Sequence, residues 1–186
     1  MTTRQSEIID LLHKEVKPAL GCTEPIAVAL AVAKAMEIME AGTGAKDWRR
    51  HEGYKLRIEV SGNILKNGMG VGIPGTGMVG LHIAAALGAS CGKSCYGLEV
   101  LHDLNDKAVA SAKGMVECEA VAICLADTDL KLYVKATVEY MGHIAFAVIE
   151  NDHDNIVETG FDGDKYSYRN NGTEEDCADQ KSTLDY

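Results

Sequence analysis

Aromatic residues are scarce in this 186-residue chain: two Phe, one Trp and seven Tyr, 5% of the whole. A core built with so few rings must be filled by aliphatic side chains, and the alanines and nineteen glycines point to close approaches between backbones. Only three prolines interrupt the chain. No apolar run is long and continuous enough to cross a bilayer, and the polar start, Met1 to Asp10, lacks the apolar stretch of a secretory signal. These features predict a cytoplasmic protein. Cations are also in deficit, with 18 Lys and Arg against 28 Asp and Glu, which argues against nucleic acid or an anionic membrane surface as partner. Much of the excess lies at the end: residues 151–186 hold ten acids against three Lys and Arg, a net of −7.

The length suits one medium domain, and the apolar content collapses after about Tyr168. We therefore expect one α+β domain over 1–167 and an acidic, mobile tail over 168–186. An amphipathic helix is predicted from about residue 5 to 17, ended by Pro18, and a central apolar helix from Thr23 to Glu40, stopped by Ala41-Gly42-Thr43-Gly44. Residues 46–54 read as an exposed loop. Lys55 to Val60 alternates as a half-buried strand does, and the glycine-dense segment 61–80 follows it. Short helices are predicted at 81–88 and, capped by Asn105, at 106–113. Strands are predicted at 117–126, 130–140, 143–150 and 155–160. Turns at 127–129, Met141-Gly142 and 151–155 separate the last four, so the expected fold is N-terminal helices and a glycine-rich loop packed on an antiparallel sheet.

Six cysteines show no disulfide framework and are expected to be reduced. Cys22 stands out in Gly21-Cys22-Thr23-Glu24-Pro25. It precedes a residue suited to cap a helix, so unpaired amides and the helix dipole would favour its thiolate, making it a metal ligand or nucleophile. The bland alternative is a small residue in a tight loop. Cys91 and Cys95 form C-x3-C with no second pair, and Cys118 and Cys124 read as filler of one strand face. His82 reads as a satisfied core histidine, and His153 as a turn residue.

Gly75-Thr76-Gly77-Met78-Val79-Gly80 matches G-x-G-x-x-G, with Glu99 downstream. The preceding glycine- and proline-containing segment is unlike a buried parallel strand, and no repeated βαβ pattern surrounds it. A helix start that receives a carboxylate, with Thr76 and nearby amides, is the more general reading. Ser61, Asn63, Lys66 and Asn67 follow a strand end beside this loop, where polar groups often line a pocket, although Asn67-Gly68 is also a turn signal. Lys66 would pair with a carboxylate, or act as a base if burial lowered its pKa.

Taken in order, Pro18 to Pro25, Ser61-Gly62-Asn63 with Lys66-Asn67-Gly68-Met69, and Ile73 to Gly77 form a set. With Gly92-Lys93 and Tyr96 to Leu101, they resemble the L-cysteine desulfidase family, which is related to the iron–sulfur L-serine dehydratase α-type domain. The resemblance covers about residues 5–160. It implies a [4Fe–4S] cluster and β-elimination from cysteine to pyruvate, ammonia and sulfide, or from serine to pyruvate and ammonia. It also implies Cys22 as one cluster ligand and Ser61, Asn63, Lys66, Asn67 and Thr76 in the substrate pocket; among these Lys66 is the candidate catalytic group, and Thr23, beside Cys22, is a further candidate for binding substrate. Family members are more than twice as long, with the other ligands in a C-terminal half, so this chain resembles the N-terminal portion only. The implied partners are a small amino-acid substrate and the missing half or a partner subunit, and apolar surface left bare without that half favours a homo-oligomer. The other reading of the same residues is a cluster-free domain that binds a small carboxylate or a partner protein.

Overall fold

The computed structural model describes residues 21–44 and 53–167, together with Ile9 and Ala19. The helix predicted over 5–17, most of the loop at 46–54 and the tail from 168 fall outside the described residues.

The central helix α1 (Thr23–Thr43) is apolar on nearly every side, with Pro25 to Ala33, Ala35, Met36 and Met39 all buried. Such a helix must be covered all round, which makes it the centre of the core. It ends three residues beyond the predicted boundary, where Gly44 takes a left-handed conformation and donates its N–H to the Glu40 carbonyl. Strand β1 (Lys55–Val60) follows, then α2 (Gly62–Gly68) and a small ribbon of β2 (Gly72–Ile73) and β3 (Met78–Val79). Next come α3 (Leu81–Cys91), a 3-10 turn (Ser94–Glu99) and α4 (Asp106–Glu117). Strands β4 (Val121–Leu125), β5 (Tyr133–Tyr140), β6 (His143–Glu150), β7 (Ile156–Phe161) and β8 (Asp164–Ser167) complete the order.

The fold is α+β. Its main sheet has six strands in the order β4-β1-β5-β6-β7-β8. From β1 through β5, β6 and β7 to β8 every pair is antiparallel, but β1 and β4 run parallel. The expected wholly antiparallel sheet is thus corrected to a mixed one. The physical reason is the long connection between β1 and β4: its helices supply the crossover that a parallel pair needs. One face carries cross-strand rows of buried residues, Val60–Val134–Ile149, Ile58–Ala136–Ala147 and Leu56–Val138–Ala145. The small middle row leaves room for α1, which packs over β5 and β6.

The glycine-rich segment does not form one loop. It divides into α2, the ribbon and the start of α3. Farther on, the helix predicted to stop near Gly114 continues to Glu117, because Val109, Ala112, Met115 and Val116 extend its packed stripe. Cys118 therefore closes α4 while Cys124 lies in β4, and the two do not share a strand face. Asn105 caps α4 as expected, its side chain accepting from the Lys107 and Ala108 amides, both at 3.1 Å.

Helices α1 and α3 touch through backbone. A Cβ on Gly88 would lie 2.9 Å from the Ala29 Cα, and one on Gly92 would lie 2.8 Å from the Ala33 Cβ. Steps of four along both helices in the same sense mean that they run parallel. Their amino ends therefore lie toward one side. Among the described residues no helix is long and apolar enough to cross a membrane.

Candidate functional site

At the carboxyl end of β1 the chain turns directly into α2. Ser61 makes the junction: it is buried, its hydroxyl donates to the Lys131 carbonyl at 2.9 Å and accepts from the Tyr133 amide at 3.3 Å. This ties the exit of β1 to the entry of β5. The Asn151 amide bonds to Leu132, so the β6–β7 turn, which contains His153, reaches the same end of the sheet. Helix α2 buries Ile64 and Gly68 and exposes Asn63, Lys66 and Asn67.

Cys22 opens α1. It occupies the N-cap position itself, with extended backbone, and Thr23 is the first helical residue rather than the cap expected for it. The thiol is exposed and donates to Glu24 Oε2 at 2.8 Å. Glu24 Oε1 accepts from Asn67 Nδ2 at 3.2 Å, which joins the first turn of α1 to α2. A Cβ on Gly21 would touch the Pro74 ring at 3.6 Å, so the loop before α1 also lies against the β2–β3 turn. Residues from the three separated motif segments thus meet around Cys22.

The electrostatics at Cys22 oppose the expected thiolate. The hydrogen bond to Glu24, followed by partial burial, pushes the thiol above its ordinary pKa. The same bond draws Glu24 below the usual carboxylate range, assisted by Asn67 and by the electrostatic attraction of His153. Whatever the helix terminus contributes, the carboxylate two residues away decides the direction.

Other predicted site residues are placed differently. Thr76 is buried in the β2–β3 turn, where its hydroxyl donates to the Ile73 carbonyl at 2.8 Å and accepts from the Met78 amide at 3.0 Å. Those bonds hold a turn in which Gly75 and Gly77 have φ of 79° and 68°, a conformation that favours glycine. The glycines of the G-x-G-x-x-G match thus shape an antiparallel ribbon, not a strand-to-helix turn on a parallel sheet. The Ser61 hydroxyl is likewise engaged within the fold. Lys66 is exposed on α2. Thr23 is half-buried beside Cys22, and Asn63 is exposed on α2.

Sequence reasoning missed two partners. Glu24 is legible as the second helical residue, two positions after Cys22, but nothing in the local pattern marks it as the partner of the thiol. His153 gave no local signal, since only the pairing of β6 with β7 carries it toward Glu24.

A [4Fe–4S] cluster needs several thiolates around one point. Among the described residues no group of three His, Cys, Asp or Glu could hold a metal ion. Cys91 donates to the Leu87 carbonyl, Cys118 lies at the end of α4, and Cys124 lies in β4. The described residues therefore do not fit a complete cluster.

The chain is similar to proteins named UPF0597 protein. That of Parabacteroides distasonis is 47% identical over 156 residues, covering 84% of this chain and 34% of the relative. That of Bacteroides fragilis is 49% identical over 156 residues, 83% of this chain and 34% of the relative. That of Oleidesulfovibrio alaskensis is 48% identical over 159 residues, 86% of this chain and 35% of the relative. The chain spans about a third of the length of these curated relatives. No protein-family model matches the chain, and no solved structure matches it.

Proposed function

We propose that this chain is the N-terminal part of an iron–sulfur-dependent amino-acid lyase, incomplete by itself, that removes sulfide from L-cysteine or water from L-serine. Elimination followed by hydrolysis of the resulting enamine would give pyruvate and ammonia. The observation that carries this reading is the meeting at Cys22: an exposed thiol at the start of a buried helix, joined through Glu24 to Asn67 and set beside Pro74. These residues belong to the segments on which the resemblance to the L-cysteine desulfidase family rests. The relatives' further two thirds leave ample chain to supply the remaining ligands.

In this reading Cys22 is the contributed ligand, and a bound cluster would act as a Lewis acid on the leaving group. The contribution of the chain itself is positional. Asn67 fixes one oxygen of Glu24, and Glu24 fixes the Cys22 side chain. Asn63 and Lys66 present polar groups from the adjoining face of α2 to a small amino acid. A cytoplasmic location belongs to the same reading, since the Cys22 thiol has to stay reduced.

The test joins the chain to the remaining two thirds of the Bacteroides fragilis relative and reconstitutes the product anaerobically with iron and sulfide. A visible iron–sulfur chromophore, with pyruvate released from cysteine or serine, is expected. Cys22→Ser should abolish the chromophore while leaving circular dichroism unchanged. A folded assembly that stays colourless and releases no pyruvate refutes the reading. Calorimetric binding of amino acids or 2-oxo acids to the chain alone, without iron, would instead favour a cluster-free carboxylate-binding domain.

A further inference from the structure

The groups gathered around Cys22 lie on an open face. Cys22, Asn63, Lys66 and Asn67 are all exposed, whereas chemistry on a small substrate requires water to be excluded. The borders of this face are apolar. Leu125, 65% exposed, lies at the start of α2, its side chain 4.0 Å from where a Cβ on Gly62 would be. Met69, 40% exposed, and Val79, 62% exposed, lie at its other end, where the Met69 carbonyl meets the backbone of Gly80. Strand β4, which carries Leu125, ends the sheet, and among the described residues it pairs only with β1. A sheet edge with no second partner among the described residues, beside exposed apolar side chains, is a surface that proteins ordinarily cover.

We propose that the exposed face of α2, bordered by Met69, Val79 and Leu125 and continued by the outer edge of β4, is the docking surface for the further two thirds of the chain found in the relatives. The occupant follows from length: the matched region is about a third of each relative, so each carries about twice as much chain again that must pack somewhere. The location follows from the shared position of the apolar border and the Cys22 cluster. Docking here would close the open face and complete the site between the two parts. The proposal rests on the lyase reading only for what the closed site does; the docking itself requires no cluster.

Hydrogen exchange tests it directly. The probes are this chain and the intact Bacteroides fragilis relative, followed at α2 and β4 and at the matching segments, with central strand β5 as internal reference. Relative to β5, exchange at α2 and β4 should be about tenfold or more slower in the relative, the size of effect expected when a local opening is suppressed. The hairpin at Met141, at the opposite end of the sheet, should not change. Equal exchange in both proteins overturns the proposal. A second measurement uses Val79→Glu with Leu125→Glu. In this chain the pair should leave the melting temperature unchanged, and in the chimera with the relative's remaining two thirds it should abolish the added protection. If the chain alone dimerises with protection at α2 and β4, and the double variant dissociates it, a second copy is the occupant and the proposal fails. Protection without a chromophore supports docking and removes the lyase reading; a chromophore with pyruvate release but no protection does the reverse.

Discussion

Replacing Gly88 by Ala probes the contact that sets α1 and α3 side by side. The added Cβ would lie 2.9 Å from the Ala29 Cα and 3.0 Å from its carbonyl carbon, both backbone atoms of a helix buried all round. Carbon atoms sit comfortably at about 3.5–4.0 Å, so the helices must separate by roughly 0.5–1 Å. Overpacking of this kind costs about 1–3 kcal/mol. Against it stands the better helix propensity of alanine, about 1 kcal/mol. The net expectation is a loss of up to about 2 kcal/mol, or a fall in melting temperature of up to roughly 8 °C for a domain of this size. Gly114→Ala is the matched control, because a Cβ there meets no atom within 4 Å. It should stabilise α4 by up to about 1 kcal/mol. Urea unfolding followed by circular dichroism, with slopes compared, measures both variants. If Gly88→Ala is as stable as Gly114→Ala, the two helices are not in backbone contact and their shared orientation is wrong.

Three further outcomes are expected. Glu24→Gln removes the carboxylate that holds the Cys22 thiol protonated, so alkylation of Cys22 at neutral pH, read by peptide mass spectrometry, should accelerate several-fold; an unchanged or slower rate would dismiss Glu24 as the cause. Asn105→Ala leaves two α4 amides uncapped and should cost about 1 kcal/mol in urea unfolding, whereas Asn105→Asp should retain most of the stability. Asp162 accepts from His143 Nδ1 at 2.7 Å and from the Ile144 amide at 2.9 Å, and these bonds hold its pKa below the ordinary 3.8. A depressed carboxylate contributes stability above its unfolded pKa and loses it as pH falls through the folded value. Asp162→Asn should therefore be less stable than the parent at neutral pH, with the gap closing in strong acid; a gap that persists there contradicts the assignment.

Several features encoded by neighbours along the chain are legible in it. The alternation of Lys55 to Val60 places β1 where it is found, and Met141-Gly142 turns β5 into β6. Asn105 marks the start of α4 for the same kind of reason: its side chain bonds amides two and three residues on. Gly114 misled as a helix end because a single glycine weakens a helix without stopping it when packing continues on either side. At the site, the Cys22–Glu24 bond spans two residues and was available to inspection. Its coupling to Asn67, 43 residues away, was not.

Period, caps and turns are enough to establish an apolar central helix, a β-rich second half and a thiol at a helix start. The return of β4 parallel to β1 and the shared direction of α1 and α3 are set by the packed fold. The same packing turns the Ser61 and Thr76 hydroxyls inward and leaves Asn63, Lys66 and Asn67 facing outward. Each of these depends on which distant surfaces bury one another. Long-range packing of that kind leaves no mark in any local stretch of residues.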